Sequence, residues 1–85
     1  MASYSLLIKQ SAARELEDLS LKDRRRIVRR IQSLAATPRP VGCEKLTGED
    51  KYRVRQGDFR ILYTIDDAKR TVEVVTIGQR GDVYR

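Results

Sequence analysis

Hydrophobic and polar residues alternate with period two in several stretches of this chain and with helical spacing in two others. Tyr4, Leu6 and Ile8 are separated by single residues, which predicts a short strand over Ser3–Lys9. Ser11 can cap a helix whose apolar positions, Ala12, Leu16 and Leu19, follow the i, i+4, i+7 rule. Ser20 opens a second helix, with Asp23 three residues on as its capping-box partner and Ile27, Ile31 and Leu34 as its apolar stripe. Thr37-Pro38 ends that helix, because the residue before a proline is pushed out of the helical region.

Arg39 to Lys51 holds Pro40, Gly42 and Gly48 without any period and reads as a loop. Beyond it Tyr52, Val54, Phe59, Ile61, Tyr63 and Ile65 alternate strictly, which predicts strands over Lys51–Arg55 and Asp58–Ile65, and a further strand covers Thr71–Ile77. A two-residue loop at Gln56-Gly57 would set Arg55 against Asp58, Val54 against Phe59 and Arg53 against Arg60. The order is βααβββ. Helices grouped before strands predict an α+β fold of two layers, a helical hairpin on a mainly antiparallel four-stranded sheet. All of residues 1–85 form one domain. A chain this short buries only about 60–65% of the surface its unfolded form exposes, so its core is thin.

Composition narrows the chemistry. Cys43 is the only cysteine and histidine is absent, so there is no internal disulfide, no imidazole-assisted thiol and no transition-metal site. By elimination a bound partner chain is the expected extra source of stability. No stretch approaches 18 consecutive apolar residues and no signal-peptide pattern opens the chain, which predicts a soluble cytoplasmic protein without a membrane partner.

The net charge of +6 favours an acidic partner, nucleic acid first among them. Its distribution says more. Between Leu21 and Arg55 there are eleven Lys and Arg against four acids. Arg25, Arg26, Arg29 and Arg30 cover one side of the second helix, as a solvated face or as a contact to nucleic-acid backbone, with Lys51 beyond the loop. Arg53, Arg55 and Arg60 occupy the polar positions of the strand pair. Like charges set opposite each other on a sheet repel, so such a cluster reads as an anion site. Arg80 follows the last strand and Tyr84 closes the chain but for one residue.

A tyrosine near a terminus commonly packs its ring on a sheet. Beside guanidinium groups its phenol also becomes a candidate general base, since a nearby cation can lower its pKa by about 1–3 units from near 10. The chemistry that suits a phenol and several arginines, without metal or cofactor, is phosphodiester transesterification in RNA. There the ribose 2′-OH loses a proton and negative charge builds on the phosphorane. The carboxylate pairs Glu49-Asp50 and Asp66-Asp67 fall in loops or turns and read as turn chemistry.

Leu46-Thr47-Gly48, Tyr52-Arg53-Val54-Arg55, Gly57-Asp58-Phe59-Arg60-Ile61-Leu62-Tyr63 and the closing Ile77-Gly78-Gln79-Arg80 through Val83-Tyr84, in this order of elements, resemble the RelE toxins. Those belong to the RelE/ParE superfamily of bacterial and archaeal type II toxin–antitoxin systems. The resemblance covers essentially the whole chain. It implies the RelE-like microbial ribonuclease fold and a ribosome-dependent endoribonuclease that cuts the mRNA codon in the ribosomal A site, with no cofactor. It further implies Tyr84 as general base, Arg80 as general acid and Arg60 as the arginine on the reacting phosphate. Arg53 and Arg55 stand at two positions that are often lysine in the family, and the basic second helix would meet ribosomal RNA. A RelB-like antitoxin is the implied partner. Gly57–Tyr63 is shared with ParE-like toxins that poison DNA gyrase without cutting RNA, which is the alternative reading; a basic RNA-binding module without catalysis is a third.

Overall fold

The computed structural model describes residues 3–79. They form β1 (Ser5–Ile8), α1 (Gln10–Glu17), α2 (Leu21–Ala36), β2 (Glu44–Lys45), β3 (Lys51–Gln56), β4 (Phe59–Asp66) and β5 (Thr71–Gln79). The strands make one mixed sheet in the order β1-β5-β4-β3-β2, with β1 parallel to β5 and the other pairs antiparallel. The two-layer α+β arrangement is as the sequence predicts. The sheet has five strands rather than four, because Glu44-Lys45 pairs with Arg53 and Tyr52 inside the segment read as a loop. A ladder two residues long leaves no period for a sequence to display.

Helix α2 follows its stripe closely. Ile27, Ile31 and Leu34 are buried one turn after another against the sheet. Asp23 donates its backbone N–H to Ser20 Oγ (3.2 Å), so Ser20 is the N-cap, and the helix stops at Thr37 before Pro38. Helix α1 begins at Gln10, one residue before the predicted Ser11 cap, and Lys9 fills its N-cap position without a side-chain bond. At its far end Arg24 Nη2 donates to the carbonyls of Glu17 (2.9 Å) and Leu19 (3.3 Å). That arginine satisfies backbone groups that the helix end leaves open.

The sheet face toward the helices carries Val54, Ile61, Tyr63, Val72, Val74 and Ile77, all buried. Val75 is the extra residue of a bulge in β5, between the pairs Leu62–Thr76 and Tyr63–Val74. Beyond Val74, β5 has outrun its partner β1, and Glu15 Oε1 from α1 accepts the N–H of Ile77 (3.1 Å).

Arg39 ties the segment after α2 to the β4–β5 turn. Its guanidinium donates to both oxygens of Asp67 (2.8 and 3.3 Å) and to the Tyr52 hydroxyl (3.2 Å), and lies 5.3 Å from the Tyr52 ring centroid. Tyr4 donates its hydroxyl to the same carboxylate (2.7 Å), and Tyr63 donates to the Pro38 carbonyl (2.7 Å).

Asp67 therefore carries a pH signature. The hydrogen bond from Arg39, then that from Tyr4, holds its carboxyl below the ordinary 3.8. A depressed folded pKa adds stability above the ordinary value, and this is lost as pH falls through the folded one. Thermal unfolding on moving from neutral pH to about pH 2 should therefore show a smaller drop in midpoint for Asp67→Asn than for the parent. Equal drops would remove the Arg39–Asp67 contact from the acid response.

Candidate nucleic-acid and phosphate site

The β3–β4 register differs from the predicted one by a fixed step. The two loop residues are Gly57-Asp58, with Gln56 opposite Phe59, Arg55 opposite Arg60, Val54 opposite Ile61 and Arg53 opposite Leu62. Gly57 takes φ +60° at the first loop position, where the tight hairpin turn calls for left-handed backbone. The predicted loop placed that glycine second. Each residue's partner thus shifts by two, and a shift of two leaves every side chain on its own face. The opposed like charges are Arg55 and Arg60, not Arg53 and Arg60; Arg53 sits diagonally from Arg60.

Two rows of side chains cross the face away from the helices. One is Glu44, Arg53, Leu62 and Thr76; the next is Arg55, Arg60 and Gly78, the last without a side chain. Arg53, Arg55 and Arg60 thus share one side of two neighbouring strands. Their settings differ. Arg60 is buried on the central strand at 5% exposure, whereas Arg55 is exposed at the rim. A recess of about 100 Å³ lies between Arg55, Arg60 and the loop residues Gly57 and Asp58. Lys51 lies on the same face, further along β3 opposite Thr64, with its ammonium 3.6 Å from Glu49.

Sequence reasoning missed Glu44. Its Oε1 accepts a hydrogen bond from Arg53 Nη2 at 2.8 Å. That bond first, then the charge of Arg53, with smaller help from Arg55 and Arg60, holds the Glu44 carboxyl below the ordinary carboxylate range. Its only sequence signal is an acid in a predominantly basic stretch, with no periodicity to give it a face.

The α2 arginines belong to the other layer. Arg26, Arg29, Arg30, Ser33 and Gln56 line a groove of about 400 Å³, and Arg26 and Gln56 also line a second of about 230 Å³ that reaches Gly57 and Phe59. Arg25, Arg26 and Arg29 are exposed and Arg30 is half-buried. Helix and sheet cations therefore do not share a face; they approach each other around the β3–β4 hairpin tip. Arg24 and Arg39, which add to the basic appearance of the sequence, are engaged in helix capping and the Asp67 clamp. Arg80 and Tyr84 lie outside the described residues.

A helix pair on a mixed sheet, with guanidinium groups gathered on the face away from the helices, defines a small basic α+β domain. The family model described as the ParE toxin of the type II toxin–antitoxin system parDE matches residues 6–84. Toxin RelE of Mycobacterium tuberculosis is 32% identical over 84 residues, spanning 96% of this chain and 87% of that one. The toxin–antitoxin complex RelBE2 from the same organism contains a chain that superposes with a TM-score of 0.84 at 26% identity, covering 93% of this chain and 100% of that one. An archaeal RelE–RelB complex from Pyrococcus horikoshii gives 0.83 at 26% identity, covering 92% and 96%. The chain belongs to the RelE/ParE superfamily of type II toxin–antitoxin toxins.

Proposed function

We propose that this toxin is a ribosome-dependent endoribonuclease that cuts mRNA in the A site by 2′-OH transesterification. The observation that carries the reading is Arg53, Arg55 and Arg60 on one open sheet face, with Arg55 directly opposite Arg60. Like charges set opposite each other on a sheet repel, and a phosphate placed between the two guanidiniums would relieve that repulsion.

The chemistry follows from the charges. The 2′-oxygen attacks the adjacent phosphorus, a pentavalent phosphorane forms, and the bond to the 5′-oxygen breaks to leave a 2′,3′-cyclic phosphate. Arg60, little exposed and fixed on the central strand, is suited to the non-bridging oxygens, where charge grows most. Its planar fork can engage two oxygens at once. Arg53 and Arg55 hold the flanking backbone. Tyr84 takes the 2′-OH proton and Arg80 serves the leaving oxygen. The chain has no imidazole for either task. DNA lacks the 2′-OH and is not a substrate.

The grooves along Arg26, Arg29 and Arg30 then serve ribosomal RNA, holding the protein without reading sequence. The partner that keeps the toxin silent is a RelB-like antitoxin, in keeping with the RelB-bound structures of its relatives.

The deciding experiment adds purified protein to ribosomes programmed with a defined mRNA and maps the new 5′ ends. Cuts confined to the A-site codon are the expected result. The family model bears the ParE description, which favours gyrase poisoning as the second reading. Intact mRNA together with accumulating gyrase–DNA cleavage complexes would establish it instead.

A further inference from the structure

Glu44 stands at the edge of the arginine cluster, on the same face of the sheet. It comes from the edge strand β2, faces Arg53 across the β2–β3 ladder, and meets that guanidinium at 2.8 Å. The Arg53 side chain is only 15% exposed and that of Glu44 is 55% exposed. The cation is thus fixed within the sheet, while the carboxylate sits at the rim and can swing into water.

Two roles for such a carboxylate have opposite signs. As a positioning residue it would hold Arg53 in place and help an anion to bind. As a resident negative charge it would repel that anion. The backbone of Arg53 is paired on both sides and most of its side chain is buried, so its place on the face does not depend on the rim carboxylate alone. The field of Glu44 reaches Arg55 and Arg60 as well, and so cancels part of the charge of the whole cluster.

We infer that Glu44 is a built-in competitor for the RNA phosphodiester, which lowers the affinity of the arginine face for isolated strands. Productive binding then depends on further contacts, from the α2 arginines or from a larger assembly that presents the strand. The inference rests on the nuclease reading of this face and names what keeps it selective for anchored over free RNA.

Glu44→Gln isolates the charge, because the amide oxygen can still accept from Arg53. The probe is a short, fluorescently labelled 2′-O-methyl RNA, which cannot be cleaved, titrated with purified toxin and followed by anisotropy. The variant should bind roughly three- to tenfold more tightly at low salt, the order expected for removing a like charge some ångströms from a phosphate in a partly solvated site. The gain should shrink as salt rises. Equal or weaker affinity, or no binding by either protein at low salt, overturns the inference. Unchanged urea unfolding of the variant excludes a fold effect. Ribosomal cleavage by the parent without tighter binding by the variant sinks the competitor and leaves the nuclease; tighter binding without any cleavage does the reverse.

Discussion

Replacing Tyr84 with phenylalanine is expected to slow mRNA cleavage on the ribosome by about 10²- to 10⁴-fold, the usual worth of a positioned general base. Urea unfolding and ribosome binding should stay as in the parent, since only one hydroxyl is lost. The size of the effect follows from the scarcity of other proton acceptors. Histidine is absent from the chain, and the carboxylate paired with the arginine cluster, Glu44, is held in its ionised form by Arg53. A carboxylate so stabilised is a poor base for a ribose hydroxyl. If Tyr84 is the general base, parent activity should climb as pH rises through about 7–9 toward the ordinary phenol value near 10. The variant should show a flat profile. Single-turnover cleavage across that range reads both effects. A variant that cuts near the parent rate would remove Tyr84 from the chemistry. Undiminished toxicity of the variant with trapped gyrase on DNA would transfer the protein to the second reading.

The helical layer was legible because its information is local. The Ile27, Ile31 and Leu34 stripe, the Ser20 cap and the Thr37-Pro38 stop each lie within a few residues of the feature they define. The shared face of the sheet arginines was legible through parity: alternation put Arg53, Arg55 and Arg60 on the polar side for either two-residue turn. Pairing was not. Whether Arg60 faces Arg53 or Arg55 depends on which residue takes the left-handed turn position, and one glycine in a Q-G-D stretch admits both. Contacts between distant segments were the least visible. Glu44 reaches Arg53 only because Glu44-Lys45 joins the sheet, and Arg39 becomes structural only when the β4–β5 turn brings Asp67 to it. Composition alone counted those two arginines as free positive charge.

The placement of the cations also limits what the toxin can grip. The α2 arginines and the sheet arginines lie in different layers and converge on the residues from Gln56 to Phe59. A compact anion can touch only one group. A polyanion that passes around the hairpin tip can touch both, and a nucleic-acid backbone, with charge at every step, is such a ligand. Exposed Asp58 at the tip makes that passage less favourable. Together with Glu44, it places negative charge at two borders of the sheet site, which favours ligands bound through many contacts over single phosphates.

Replacing Ile61 with alanine is expected to cost about 2–5 kcal/mol of stability, the range for deleting most of a buried aliphatic side chain. Ile61 is fully buried on the central strand, flanked by Val54 and Ile77, on the face that meets Ile27 and Ile31 of α2. These neighbours belong to two other strands and a helix, so no single element can move in to fill the gap. Domains of this length carry about 4–13 kcal/mol in all. The loss therefore ranges from about a sixth of the total to all of it. Urea unfolding should show a lower midpoint with an unchanged slope, which marks lost stability rather than a changed denatured state. A cost below about 1 kcal/mol would mean that the layers collapse onto the gap. An antitoxin that binds only the folded toxin restores about 2.7 kcal/mol at a hundredfold excess over its dissociation constant. The same substitution should thus be tolerated in the complex and exposed once the antitoxin is removed. In a toxin with so thin a core, release from an antitoxin that binds only the folded form lowers its stability.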